Sequence, residues 1–308
     1  MSDRTLSNLP ASIKQRLLNL SREKHELFNL VALRYANERF LYRLSKSVHA
    51  KQFVLKGAVL FAHWMDEPHR ATRDIDFLGY GEISDAAVAS IVKEILQTPV
   101  EDDGLTFGED GISVQEIREE AEYGGLRVKF SAYLDKMSIS MQVDIGFGDI
   151  PGNLEQVTIH PMLNQSAPRL RAYPKEAVVA EKFHAMVEKG IANSRMKDFV
   201  DVWLLSQEFD FSGKSLAEAI EATFKSRGLS LPNETPVALS AAFSSDAGKI
   251  AQMRSFITDK TNLEEASVEL SEIADELKDF FMPVVEAIRD GNAEKMTWIA
   301  GGPWKKTS

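Results

Sequence analysis

At 308 residues, with 44% hydrophobic and 27% charged residues, the chain can bury one large core or two moderate ones and has an ordinary globular composition. It has no cysteine, which excludes disulfides and thiolate metal sites, and its net charge of −10 excludes a uniformly basic nucleic-acid coat. No apolar run resembles a signal peptide or approaches a membrane span, so no membrane association and a cytoplasmic location are expected.

Residues 11–46 read as two helices. Ser12 can cap the first, with Ile13, Leu17 and Leu20 at helical spacing. The second runs from Asn29 to Leu44, its apolar positions interleaved with Arg34, Glu38, Arg39 and Arg43. Both lie in a basic stretch, since residues 1–60 carry eleven Lys or Arg against four Asp or Glu. Residues 81–125 carry twelve acidic and two basic residues, and residues 264–294 carry ten and two. Such segregation suits a net-negative protein that holds a polyanion, with these basic helices tracking an RNA backbone; equally, basic and acidic helices offset each other.

Phe53 to Leu55 reads as a short strand, followed by Gly57 and an apolar helix to about Met65. His69 to Arg73 is a loop, and Asp74 to Leu78 a strand. Asp74 and Asp76, spaced i, i+2, share one face of that strand, while Ile75 and Phe77 point to the other. Two carboxylates held this close repel unless a cation lies between them, and oxygen-only ligands suit Mg²⁺ with the phosphates of a substrate. An exposed, solvated Asp-x-Asp is the plain alternative. Gly57-Ala58, seventeen residues before Asp74, tips the balance, because small residues let backbone N–H groups approach a phosphate.

Ile83 to Leu96 is an amphipathic helix, and an acidic loop containing Glu101-Asp102-Asp103-Gly104 follows. Residues 126–134 and 137–145 then alternate in polarity. With Asp135-Lys136 as a two-residue turn, Leu134 pairs with Met137, Ala132 with Ile139, Phe130 with Met141, Val128 with Val143 and Leu126 with Ile145. The opposite face pairs Lys129 with Gln142 and Arg127 with Asp144. A one-residue slip would scramble every pair. Asp144 thereby becomes a candidate third carboxylate beside Asp74 and Asp76, or else the partner of Arg127 in a cross-strand ion pair.

After Pro151-Gly152 the pattern turns mainly helical, through a link marked by Pro161, Pro168 and Pro174. Pro174 suits the first turn of a helix that stops at Gly190 and carries Lys182, a candidate triphosphate ligand or a snorkelling surface lysine. A helix starting near Ser194 places Asp198 and Asp201 on one face. Acidic helices are expected over 263–279 and 283–290, before a Gly301-Gly302-Pro303-Trp304 tail. His63, His69 and His184 lack zinc-ligand spacing and read as packing or surface residues. No P-loop, Gly-x-Ser-x-Gly elbow or dinucleotide fingerprint occurs.

Leu55-Lys56-Gly57-Ala58 followed by Arg70-x-Thr72-Arg73-Asp74-Ile75-Asp76-Phe77 resembles the AbiEii/AbiGii-type nucleotidyltransferase toxin family of type IV-like toxin–antitoxin systems. Further agreement lies in the stretch Arg34 to Leu44, in Val143-Asp144-Ile145, in Pro174-Lys175-Glu176 through Glu181-Lys182, in Arg195-x-Lys197-Asp198-x-x-Asp201 and in Gly301 to Trp304. The resemblance covers nearly the whole chain. It implies an α/β (α+β) fold, with a polymerase-beta-like nucleotidyltransferase core around a mixed sheet over residues 1–165 and a helical domain over 166–308. It also implies Mg²⁺- or Mn²⁺-dependent transfer of NMP from an NTP to an acceptor hydroxyl, the 3′ end of tRNA in some members, and an antitoxin encoded nearby. Carried over by position, Asp74, Asp76 and Asp144 would hold two metals for an in-line attack. Lys182 and Asp198 would join them in catalysis, and Lys56, Gly57, Ala58, Arg70, Thr72 and Lys182 would bind the nucleotide. Ala58 departs from the Gly or Ser common in this superfamily, so any phosphate contact there must come from backbone. Transfer to a protein or small molecule, and a catalytically silent NTP-binding protein, are the competing readings.

Overall fold

The structure, a computed structural model, describes residues 8–65, 70, 72–80, 84–117, 124–148, 153–260 and 269–306. The expected loop start at His69, helix start at Ile83, break at Pro151-Gly152 and residues 263–268 of an expected helix lie outside these. Two compact units result, Met1–Ile150 with Leu154–Ala172, and Pro151–Asn153 with Tyr173–Ser308. The division expected after residue 165 falls seven residues later, because one more strand of the first sheet, Arg169–Ala172, precedes it.

The first unit runs α1 (Leu9–Glu23), α2 (Phe28–Lys46), β1 (Phe53–Lys56), a 3₁₀ turn (Gly57–Leu60), α3 (Phe61–Trp64), β2 (Ile75–Gly79) and α4 (Asp85–Leu96). It continues with β3 (Leu105–Ile117), β4 (Gly125–Leu134), β5 (Met137–Phe147), β6 (Glu155–Thr158) and β7 (Arg169–Ala172). The strands form one mixed sheet in the order β3-β4-β5-β2-β1-β7-β6. β5 lies parallel to β2, β7 parallel to β1, and the other pairs are antiparallel. An α/β core with a mixed sheet is therefore present as expected.

The β4–β5 register is the one the polarity pattern predicts, from Leu134↔Met137 to Leu126↔Ile145. Asp135 makes the two-residue turn by adopting φ +56°, a conformation in which Asp is tolerated better than most side chains. Leu126, Val128, Phe130, Ala132 and Leu134 are all buried, with Ile139, Met141, Val143 and Ile145 beside them. Each of these side chains larger than alanine contributes roughly 1.5–3 kcal/mol on burial, so a one-residue slip is strongly disfavoured. Helix α2 packs on β5 and α4 on β3. The other face of the β4–β5 hairpin keeps Arg127 partly exposed and Lys129, Ser138 and Ser140 fully so.

Helix α1 is capped by Asn8, which accepts from Ala11 N–H at 3.1 Å, rather than by Ser12, which lies inside the helix. Pro10 supplies the preset φ of the first turn and draws the start upstream. Helix α2 is polar within its buried part. Arg43 grips Asp103 at 2.6 and 3.1 Å, and Arg39 pairs with Glu38 at 2.8 Å while donating to the Ser166 carbonyl at 2.7 Å. Burial raises the Glu38 pKa, and the Met162 N–H at 2.6 Å opposes that rise. Arg39 and Arg43 are thus structural and closed to an RNA backbone, whereas Arg16, Arg22, Lys24, Lys46 and Lys51 stay exposed. The ion pair with Asp103 also uses part of the acidic stretch to offset the basic one.

In the second unit come α5 (Lys175–Lys189), α6 (Met196–Glu208), β8 (Phe211–Ser212), α7 (Gly213–Ser226), α8 (Ala241–Ser244), α9 (Ala247–Lys260), α10 (Leu270–Asp290), β9 (Met296–Trp298) and β10 (Trp304–Lys306). Pro174 sits at the N-cap of α5 and Gly190, at φ +48°, ends it. Helix α10 passes through Pro283, where sequence reading breaks it. Phe280, Phe281, Val284 and Val285 on either side are buried, so packing outweighs the hydrogen bond that proline forfeits. The Phe280 carbonyl, in the turn that the proline ring crowds, accepts from the Trp304 indole at 2.8 Å. The expected tail is a small β10-β9-β8 sheet.

His184 on α5 is buried edge-on against Phe224, with neither ring nitrogen hydrogen-bonded. Burial, and then the charge of Arg227, push its pKa down to about 4, against an opposing pull from Glu181. The unfolded chain takes up this proton near its ordinary value of about 6.5. Stability from this residue is therefore complete above that pH and lost as pH falls towards 4. Between pH 7 and pH 5 the loss is expected to be roughly 2 kcal/mol. Urea midpoints at the two pH values, compared with those of His184→Leu, measure it; an equal pH dependence in the variant would refute the assignment.

Candidate active site

Strand β2 carries the centre of the site. Ile75 and Phe77 are buried on one side, and Asp76, on the other, remains half-exposed, with Asp74 two residues ahead. The segment entering β2 is held by Asn37 of α2, whose side-chain amide donates to the Arg73 carbonyl at 3.2 Å. Asn37 is buried in the helix interior. Its role rests on a tertiary contact that no local pattern announces.

Register then aligns charges across the sheet. Lys56 of β1 is the partner of Asp76, Asp76 of Asp144, Asp144 of Arg127, and Arg127 of Gln115. Residues directly opposite one another share a face, so these side chains form one row across five strands. The expected neighbourhood of Asp76 and Asp144 follows directly from the parallel pairing of β2 with β5. The Lys56 ammonium leans along the same face, since a Cβ built on Gly146 would come within 3.4 Å of its Nζ.

Gly57 follows Lys56 with φ +76°, and a Cβ there would lie 2.1 Å from Oδ2 of Asp76. Only glycine lets the chain turn here while its backbone touches that carboxylate. Ala58 is next in the 3₁₀ turn and offers its backbone alone. Arg70 and Thr72 are half-buried in the segment before β2.

Arg127 holds Asp144 bidentately, Nε donating to Oδ1 at 2.9 Å and an Nη to Oδ2 at 2.7 Å, and Gln142 adds a contact at 3.3 Å. The cross-strand ion pair, one of the two roles open to Asp144, is thus present. The donor set is all oxygen, as Mg²⁺ prefers, and Mg²⁺ commonly takes only one or two carboxylates with substrate phosphates completing its shell. Asp74 with Asp76 fits that requirement. Among the described residues no three carboxylate or imidazole side chains are placed to hold a metal together.

The second unit holds the other predicted pair. Lys182 Nζ donates to Asp198 at 2.7 Å and to Asp201 at 2.8 Å, and Arg195 donates to Asp198 at 2.5 Å. Both aspartates are fully buried. Burial pushes Asp198 up, yet the charges of Lys182 and Arg195 override it and hold its pKa below the ordinary range. For Lys182, burial pushes down, and Asp198 and Asp201 outweigh it to hold the ammonium above its usual value. Asp201 is an equal member of this cluster, and its i, i+3 spacing from Asp198 is the signal for it in the sequence. His63 Nδ1 donates to the Thr158 carbonyl at 3.1 Å, a packing contact.

A family model described as the nucleotidyl transferase AbiEii toxin of a type IV toxin–antitoxin system matches residues 39–288. No curated protein matches the sequence. Two solved Helicobacter pylori structures are similar. JHP933 shares 15% identity over 82% of this chain and 89% of its own, with a TM-score of 0.44. A protein described as a putative nucleotidyltransferase shares 14% over 82% and 92%, also at 0.44.

Proposed function

From the chain's membership of the AbiEii nucleotidyl transferase toxin family, shown by a match over residues 39–288, we propose that it transfers NMP from an NTP to the 3′-terminal hydroxyl of a tRNA. The observation that carries this reading is the register match of Asp76 with Asp144 on neighbouring parallel strands, with Lys56 and the Gly57 backbone alongside. A Mg²⁺ or Mn²⁺ ion held by Asp74 and Asp76 would supply charge neutralisation on the triphosphate.

The chain's own groups then have distinct tasks. Lys56, Arg70, Thr72 and the backbone of Gly57 and Ala58 bind the triphosphate and fix its α-phosphorus. Asp144 accepts the hydrogen bond of the acceptor hydroxyl and aims it. The hydroxyl oxygen passes its proton to Asp144 and forms the new bond to the α-phosphorus as the bond to pyrophosphate breaks in line. Exposed Arg16, Arg22, Lys24, Lys46 and Lys51 support an RNA acceptor, whose binding would weaken with salt. The family description as part of a toxin–antitoxin system supports an antitoxin partner. We place the reaction in the cytoplasm, where NTP and tRNA are found; among the described residues no helix is long and apolar enough to cross a membrane.

Purified protein, Mg²⁺, total tRNA and each α-³²P NTP in turn test the proposal. The expected result is a labelled, lengthened tRNA with one preferred nucleotide. Label on protein or on small solutes would replace the acceptor, and NTP binding without any label would replace the enzyme with a silent binder.

A further inference from the structure

Asp144 reaches the site already neutralised. The Arg127 fork engages both of its oxygens, and strand register fixes that pairing rather than side-chain chance. Asp144 is the more sheltered partner, with a side-chain exposure of 14% against 34% for Arg127. Its hydrogen bond to Asp144, opposed by burial and reinforced by the charges of Asp144, Asp74 and Asp76, raises the Arg127 pKa further. The guanidinium therefore feels all three carboxylates of the candidate site.

Of the three carboxylates, Asp144 is the one whose two oxygens both accept from the Arg127 fork. Asp74 and Asp76 suffice for one ion whose shell the triphosphate completes. A second ion would need an oxygen of Asp144 that Arg127 holds.

Resting on the reading that Asp74 and Asp76 receive a divalent ion, we propose that this site takes one divalent ion rather than two, with the Arg127 guanidinium standing at Asp144 where the second would bind. Arg127 is then a positioning residue. It presents Asp144 to the acceptor hydroxyl in a fixed orientation and supplies the positive charge that a second ion would bring.

Mn²⁺ counted by electron paramagnetic resonance, with the α,β-methylene analogue of each NTP at saturation, tests this without turnover. The intact protein is expected to bind one Mn²⁺, and Arg127→Met two. Arg127→Met/Asp144→Asn should return to one, and Arg127→Lys, which keeps the charge, should stay at one if Arg127→Met proves unable to fold. Two ions on the intact protein would overturn the proposal, as would a count unchanged by Arg127→Met. No ion on the intact protein, with nucleotide bound, would overturn the Asp74–Asp76 metal reading itself.

Discussion

Asp76→Asn is expected to lower nucleotidyl transfer by on the order of a thousandfold or more, the scale seen when a charged group at a reacting centre is removed. The substitution is nearly isosteric, so it preserves the close contact between this side chain and the Gly57 backbone. It also removes one of two negative charges that register sets side by side, Asp76 and Asp144. The melting temperature should therefore hold or rise slightly while activity vanishes. Transfer to tRNA measured with thermal melting separates the two effects. Full activity in the variant would remove β2 from the chemistry, and a collapsed melting curve would make Asp76 structural.

Lys182→Met is expected to cost about 3–5 kcal/mol of stability in the second unit, the usual size when one partner of a buried ion pair is taken away. In the intact cluster Lys182 and Arg195 balance Asp198 and Asp201. The variant takes the ammonium away from two carboxylates that have no exposure to water. Adding Asp201→Asn should recover much of the loss, because it removes one of the two buried negative charges that Lys182 offsets. Urea unfolding of the single and double variants measures this coupling. A single variant as stable as the parent would show that Lys182 is not needed to hold its helices together. Activity lost by Lys182→Met must accordingly be read beside its stability.

The site was most legible where residues sort by polarity in pairs. The β4–β5 register, and with it the pairing of Arg127 with Asp144, follows from alternation alone, because burial of one face leaves a single workable alignment. Strand β3 is hidden for the opposite reason. Its pairing shifts between Gly108 and Ser113, and that irregularity breaks the two-residue period. Strands β6 and β7 are only four residues each, and β7 owes its place to a parallel contact with β1 more than a hundred residues earlier, Leu55↔Ala172. Pro283 misleads in another way, since local propensity stops a helix that tertiary packing carries through. The Asn37 contact with Arg73 and the inward turn of Arg39 and Arg43 likewise depend on partners that only folding supplies.

Asp76 and Asp144 stand 68 positions apart in the chain yet face each other in the sheet. At a synthesis rate of about 5–20 residues per second, roughly 3–14 seconds separate their emergence. During that interval the β1–β2 pair can form by itself, being antiparallel and close in sequence, whereas the parallel β2–β5 pairing must wait for a complete hairpin. Of the strands that carry the site, β5 thus joins last. Until β5 closes, Asp76 has Lys56 on one side and no strand on the other.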